Sequence, residues 1–130
     1  MAAIILAEDH VMVRQGLKRI IEEAPDFKVI HEAGNGLELL EFLAQSKPDI
    51  VILDVSMPRL GGLEAAQKIK QLYPGVKILI LTMHQDKHYF SKAQEIGVDG
   101  YLLKEDADTD LNSAIHTILQ GNTYTSPLLR

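Results

Sequence analysis

Short apolar runs rich in β-branched residues alternate five times along this chain with segments whose apolar residues recur at helical spacing, the pattern of a βα-repeated sheet. Strands are predicted at 3-8, 27-33, 50-54, 77-82 and 99-103. Among the helical segments, Val13, Leu17, Ile20, Ile21 and Ala24 make one stripe, and Leu111, Ala114, Ile115, Ile118 and Leu119 make another. Pro25, Gly34-Asn35-Gly36, Pro74-Gly75 and Gly121-Asn122 fall where such elements must stop. The runs at 50-54 and 77-82 are apolar on both faces, so they are predicted to be central in a parallel sheet with helices on each side. Segment 86-96 is the weakest helix. Tyr89, Ala93 and Ile96 are its main anchors amid Asp86, Lys87, His88, Ser91, Lys92 and Gln94, and a thinly anchored helix is a candidate moving part.

Four of the apolar runs end on polar groups: Glu8-Asp9, Asp54, Thr82 and Lys104. If the strands are parallel, these groups share the sheet edge at which open α/β sheets bind ligands. Gathering Glu8, Asp9 and Asp54 there is unfavourable in isolation, since two like charges 4 Å apart repel by about 4 kcal/mol at an effective dielectric near 20. A divalent cation offsets that repulsion, and Mg²⁺ is commonly held by one or two carboxylates together with waters and phosphate oxygens. Lys104 adds a point charge for a further oxygen, and Thr82 a hydroxyl donor. The group left to act as nucleophile is a carboxylate, of the kind that forms aspartyl-phosphate intermediates. Asp54 fits better than the adjacent pair because it stands alone. Taken singly each residue has a bland explanation, and Asp9 could simply cap the helix that follows. The conjunction at four strand ends is what points to phosphoryl chemistry.

At 130 residues the chain fits one domain with its own core. A formal charge of -5 argues against a nucleic-acid surface within these residues. The absence of cysteine excludes disulfides, thiol catalysis and thiolate metal sites. No apolar run approaches the roughly 18 to 20 residues of a membrane span, and Met1 to Ala7 lacks a basic leader, so a soluble cytoplasmic protein with no membrane partner is expected. His10 stands beside two acids, but imidazole suits Mg²⁺ poorly, and it reads as an exposed helix-start residue. His31, His88 and His116 have no zinc-site spacing.

These residues carry a resemblance to a known family. Ala7-Glu8-Asp9-His10, then Leu53-Asp54-Val55-Ser56-Met57-Pro58 with Gly62, then Leu81-Thr82-Met83-His84, then Gly97-Val98-Asp99-Gly100-Tyr101-Leu102-Leu103-Lys104 resemble the receiver domain of two-component response regulators, over about residues 3 to 121. The resemblance implies a flavodoxin-like (βα)5 doubly wound fold, a five-stranded parallel sheet of order 2-1-3-4-5 in a three-layer sandwich. It implies that Asp54 accepts a phosphoryl group from a sensor histidine kinase or phosphotransfer protein. Mg²⁺ would be held by Glu8, Asp9, Asp54 and the Ser56 backbone carbonyl. Lys104 would contact the phosphoryl group, and Thr82 and Tyr101 would form a switch pair. Ser56 and His84 occupy positions that in receivers tune how long the phosphoryl group survives. Glu105 follows Lys104 where many receivers carry proline after a cis peptide, which leaves that geometry open.

The form Asp-Gly-Tyr-Leu-Leu-Lys-Glu with Thr-Met-His earlier looks most like receivers of LuxR/NarL-type helix-turn-helix regulators. On that likeness, residues 1-122 form the receiver, 123-130 are a tail or the start of a linker, and DNA is reached only through a separate C-terminal domain. No enzyme activity beyond self-phosphorylation from a phosphodonor and slow loss of the phosphoryl group is implied. Homodimers on phosphorylation are expected through the last helix, the 86-96 helix or the first helix. Two other readings compete. A phosphatase with an aspartate nucleophile usually needs a second Asp two positions on, where Ser56 stands. A pseudo-receiver would lack part of the set Glu8, Asp9, Asp54, Thr82 and Lys104, which is intact. A dinucleotide site is excluded, since no G-x-G-x-x-G follows the first strand.

Overall fold

A computed structural model describes residues 1–83 and 87–129, apart from the side chain of Leu128. Strands and helices alternate: β1 (Ala2–Ala7), α1 (Val11–Glu22), β2 (Phe27–Ala33), α2 (Gly36–Gln45), β3 (Ile50–Asp54), α3 (Gly62–Leu72), β4 (Lys77–Thr82), α4 (Lys87–Ile96), β5 (Gly100–Leu103), α5 (Ala107–Leu119) and β6 (Tyr124–Thr125). All strand pairs are parallel, in the order β2-β1-β3-β4-β5-β6. The expected 2-1-3-4-5 arrangement is therefore present, extended by one two-residue strand from the segment set apart as a tail.

Side chains alternate across the sheet, so each strand feeds two cores. Ile4, Leu6, Ile50, Ile52, Leu79, Leu81 and Leu102 face Leu17 and Ile21 of α1 and Leu111, Ala114, Ile115 and Ile118 of α5. Ile5, Val51, Leu53, Ile78 and Ile80 face Leu39 and Leu43 of α2, Ala65, Ala66 and Ile69 of α3, and Ala93 of α4. β3 is buried at every position, as its two-faced apolar run requires. Val13, the first member of the predicted α1 stripe, is exposed, because α1 turns inward only from Leu17. In α4 only Ala93 is fully buried; Tyr89, Phe90 and Ile96 pack partly against the core.

Local chemistry sets the boundaries. Asn35 caps α2 by accepting the Glu38 N–H at 2.9 Å. β5 begins at Gly100 rather than at Asp99, whose carboxylate accepts the Ile78 N–H at 2.8 Å and the Lys70 ammonium at 2.9 Å. No described peptide bond is cis, so Lys104-Glu105 is trans and opens a single 3-10 turn, Lys104–Asp106, before α5. None of the described helices is long and apolar enough to cross a membrane.

Candidate functional site

β1, β3, β4 and β5 deliver the predicted groups to one edge because all four strands run the same way. Glu8, just past β1, is 1% exposed, and its N–H donates to the Ala33 carbonyl at 2.9 Å. The Lys104 ammonium, arriving at the end of β5, donates to Glu8 Oε1 at 2.6 Å and lies 3.4 Å from Asp54 Oδ1. One cation thus stands between carboxylates from two other strands, all three groups largely shielded from water.

The two acids divide that cation unequally. Burial pushes the Asp54 carboxyl above its ordinary range and the charge of Glu8 pushes the same way, outweighing the Lys104 ammonium and a hydrogen bond from the Ser56 N–H. Burial also acts on Glu8, but the Lys104 hydrogen bond and the His10 N–H, 3.2 Å from Oε2, outweigh it and hold Glu8 below the usual carboxylate range. Glu8 is the committed anion. Asp54 is the more basic carboxylate, and so the better nucleophile of the two once ionised.

Asp9 is not spent on capping. The residue at the N-cap of α1 is His10, which makes no side-chain cap bond, while Asp9 Oδ1 is buried without a hydrogen-bond partner. The His10 Nδ1 lies 3.3 Å from both Glu8 Oε2 and Asp9 Oδ1, although its side chain is 70% exposed. Ligand atoms of Glu8, Asp9 and His10 fall within 4.8 Å of one another. A buried carboxylate oxygen with no hydrogen bond, grouped with the Glu8 carboxylate, suits a hard cation such as Mg²⁺, and Asp54 lies outside that group of ligand atoms.

The loop after Asp54 is shaped by close approach. A Cβ on Gly62 would overlap the Asp54 carbonyl, and one on Gly36 would overlap the Leu60 carbonyl, so α3 and α2 start where only glycine fits. Within the same loop Arg59 (φ 60°) and Leu60 (φ 137°) adopt backbone angles that side chains disfavour. Strain of this kind is concentrated at functional sites. Ser56 is exposed on this loop. Thr82 is fully buried at the end of β4. Tyr101 is 1% exposed, its ring edge-on to Phe90 of α4 with centroids 5.3 Å apart. His84 lies outside the described residues.

Two neighbours of the site escaped sequence reasoning. Phe90 went unnoticed among the polar residues of its helix, although its spacing of one turn from Ala93 was legible. Arg14 donates from Nη1 to the Glu8 carbonyl at 2.9 Å, a contact to main chain that leaves no side-chain pattern.

Comparison with known proteins agrees with this geometry. Residues 4–116 match the response regulator receiver domain. The transcriptional regulatory protein DegU of Brevibacillus brevis is 38% identical over 125 residues, covering 95% of this chain and 52% of that protein. The oxygen regulatory protein NreC of Staphylococcus carnosus is 40% identical over 125 residues, covering 95% and 58%. The chain therefore spans about half the length of the curated relatives it matches. A LuxR-family two-component response regulator from Aurantimonas sp. SI85-9A1 superposes with a TM-score of 0.95 at 39% identity, covering 99% of this chain and 92% of that one. The isolated receiver domain of RcsB from Salmonella enterica serovar Typhimurium, with the phosphomimetic BeF3-, superposes with a TM-score of 0.92 at 27% identity, covering 98% and 95%. With the sheet order, the acidic edge and the family match in agreement, the chain belongs to the response regulator receiver domains, among those of LuxR/NarL-type regulators.

Proposed function

We propose that this domain accepts a phosphoryl group on Asp54 and changes conformation in response, with transcription as the controlled output. The observation that carries this reading is Asp54 itself: buried, raised in basicity by burial and Glu8, and 3.4 Å from a lysine ammonium. A carboxylate oxygen of Asp54 attacks the phosphorus of a phosphohistidine, the P–N bond breaks and an acyl phosphate forms. Lys104, relieved in part of Glu8, follows the new negative charge. Glu8, Asp9, Asp54 and the Ser56 carbonyl would hold Mg²⁺, which supplies charge neutralisation for the phosphoryl oxygens. The unsatisfied Asp9 Oδ1 supports that assignment.

Thr82 then donates its hydroxyl hydrogen bond toward the modified Asp54, and the Tyr101 ring adjusts to the space it leaves. The packing of Tyr101 on Phe90 supports a relay into α4, the least anchored helix. Ser56 and His84 are assigned to tuning the phosphoryl lifetime. The phosphodonor is a sensor histidine kinase or a phosphotransfer protein of the cytoplasm. Val11 and Met12, just past the acidic pair, and Met83, just past Thr82, are exposed apolar residues suited to receiving a protein surface. DNA is engaged through a further domain, in keeping with relatives nearly twice as long.

Incubation with acetyl phosphate and Mg²⁺ followed by intact mass measurement tests the reading. The wild type is expected to gain one phosphoryl mass and Asp54→Ala none. No gain in the wild type would favour a pseudo-receiver, a gain surviving the substitution would assign the wrong carboxylate, and rapid turnover of a phosphate ester would favour a phosphatase.

A further inference from the structure

The Glu8-Asp9 peptide governs the direction of two of the three carboxylates at the site, and it lies beyond the last residue of β1, outside the sheet ladder. Two contacts hold the backbone on either side of the Glu8 Cα, and the second is made by this peptide itself. The Glu8 N–H is given to Ala33, and the Glu8 carbonyl is taken by Arg14 Nη1 at 2.9 Å. With both sides of Glu8 fixed, the planar peptide carries the restraint to the Cα of Asp9.

Arg14 is itself ion-paired, although its Nε makes no hydrogen bond. Its Nε lies 3.4 Å from Glu32 Oε1, and Lys18, one turn along α1, lies 3.4 Å from Glu32 Oε2. A Cβ on Gly34 would come 3.6 Å from Arg14 Nη1, so the guanidinium rests over the backbone that leads out of β2. Gly34 is fixed in turn by donating its N–H to Glu38 at 2.7 Å. The guanidinium thereby ties the loop after β1 to the end of β2. A planar fork can hold a carbonyl and a carboxylate at once, which an ammonium cannot do in the same geometry.

We propose that Arg14 is a positioning residue for the metal-binding acids: it sets the Glu8-Asp9 peptide so that both carboxylates face the cation. The inference rests on the phospho-acceptor reading above. It separates Arg14 from an ordinary surface ion pair, because the effect runs through the Glu8 carbonyl and not through the Glu32 contact alone.

The test is calorimetric titration with Mg²⁺, below the unfolding transition of each variant, together with the Mg²⁺ dependence of phosphorylation by acetyl phosphate. Loss of a group that orients metal ligands typically weakens metal affinity 10- to 100-fold, so Arg14→Ala is expected to raise the Mg²⁺ Kd about tenfold. The Mg²⁺ concentration for half-maximal phosphorylation should rise in parallel, with a smaller change in maximal rate. Arg14→Lys should fall between, and Glu32→Gln, which retains the bond to Glu8, should shift the Kd least. Should Arg14→Ala prove too unstable to titrate, Arg14→Lys carries the test with an expected rise of about threefold. A Kd within about twofold of wild type in the titratable variant, whatever happens to its Tm, would overturn the inference alone. Absence of Mg²⁺ binding by the wild type would overturn the phospho-acceptor reading and this inference with it.

Discussion

Lys104 is shared between Glu8 and Asp54, but burial and the Glu8 charge outweigh it at Asp54 while its hydrogen bond prevails at Glu8, so the two acids respond in opposite ways to substitution and to pH. Glu8 is held below its unfolded range, so its contribution is present above the ordinary glutamate pKa and is lost as pH falls through the lower folded value. Asp54 is raised, so its ionised form weakens the fold at neutral pH, and the penalty fades as pH falls through the raised value. Asp54→Asn is therefore expected to stabilise the metal-free domain at pH 7. That gain should shrink on mild acidification, as the wild type takes up its own proton. Lys104→Ala should act the other way and cost about 3 kcal/mol, since it strands the buried Glu8 carboxylate. Denaturant titrations with chelator present, from neutral to mildly acidic pH, check both. An Asn variant less stable than wild type at neutral pH would refute the assignment of Asp54 as the strained acid.

At the level of elements, what the sequence displayed was whatever repeats. β3 and β4 could be placed because each holds four consecutive apolar residues, Ile50 to Leu53 and Ile78 to Leu81, and the stripes of α1 and α5 because three or four turns sample the same face. β6 has two residues and no period to show. Its place is set by Ser126, whose N–H donates to the Tyr101 carbonyl at 3.0 Å and whose Oγ accepts the Leu103 N–H at 2.9 Å while lying 3.2 Å from Asp106 Oδ2. A polar residue that completes a sheet edge through its hydroxyl looks, in sequence, like any loop serine. The same reason hid Arg14, and Gly62 was legible only through family likeness until the Asp54 carbonyl beside it supplied a cause. Ser126→Ala leaves the buried Leu103 N–H without its side-chain acceptor, so a loss of about 1–3 kcal/mol is expected. Hydrogen exchange should report it locally, as faster exchange at the Leu103 amide than at β1 or β3. Uniform acceleration, or none, would mean that β6 does not brace the strand carrying Tyr101.

For the whole molecule, the consequence of a charge at one sheet edge depends on where the fold yields. The strands bearing Glu8, Asp54 and Thr82 are buried and cross-linked, whereas α4 rests on Ala93 and a few half-buried rings, one of them in contact with Tyr101. A rearrangement beginning at Asp54 should therefore emerge on the α4 side. Phosphorylation replaces the single charge of Asp54 with the about -1.5 to -2 of a phosphoryl group, making a domain already at -5 more negative, so self-association must work against net repulsion and needs local complementarity. α4 supplies exposed Lys87 and Lys92, while the start of α5 supplies Asp108 and Asp110. A two-fold pairing that sets α4 of one copy beside α5 of the other satisfies both conditions. Sedimentation velocity is expected to show a dimer after treatment with acetyl phosphate and Mg²⁺. The dimer should weaken as salt screens the lysine–aspartate contacts and be lost in Lys92→Glu. A profile unchanged by phosphorylation would exclude dimerisation as the output, and a dimer that tightens with salt would place the interface on an apolar face instead.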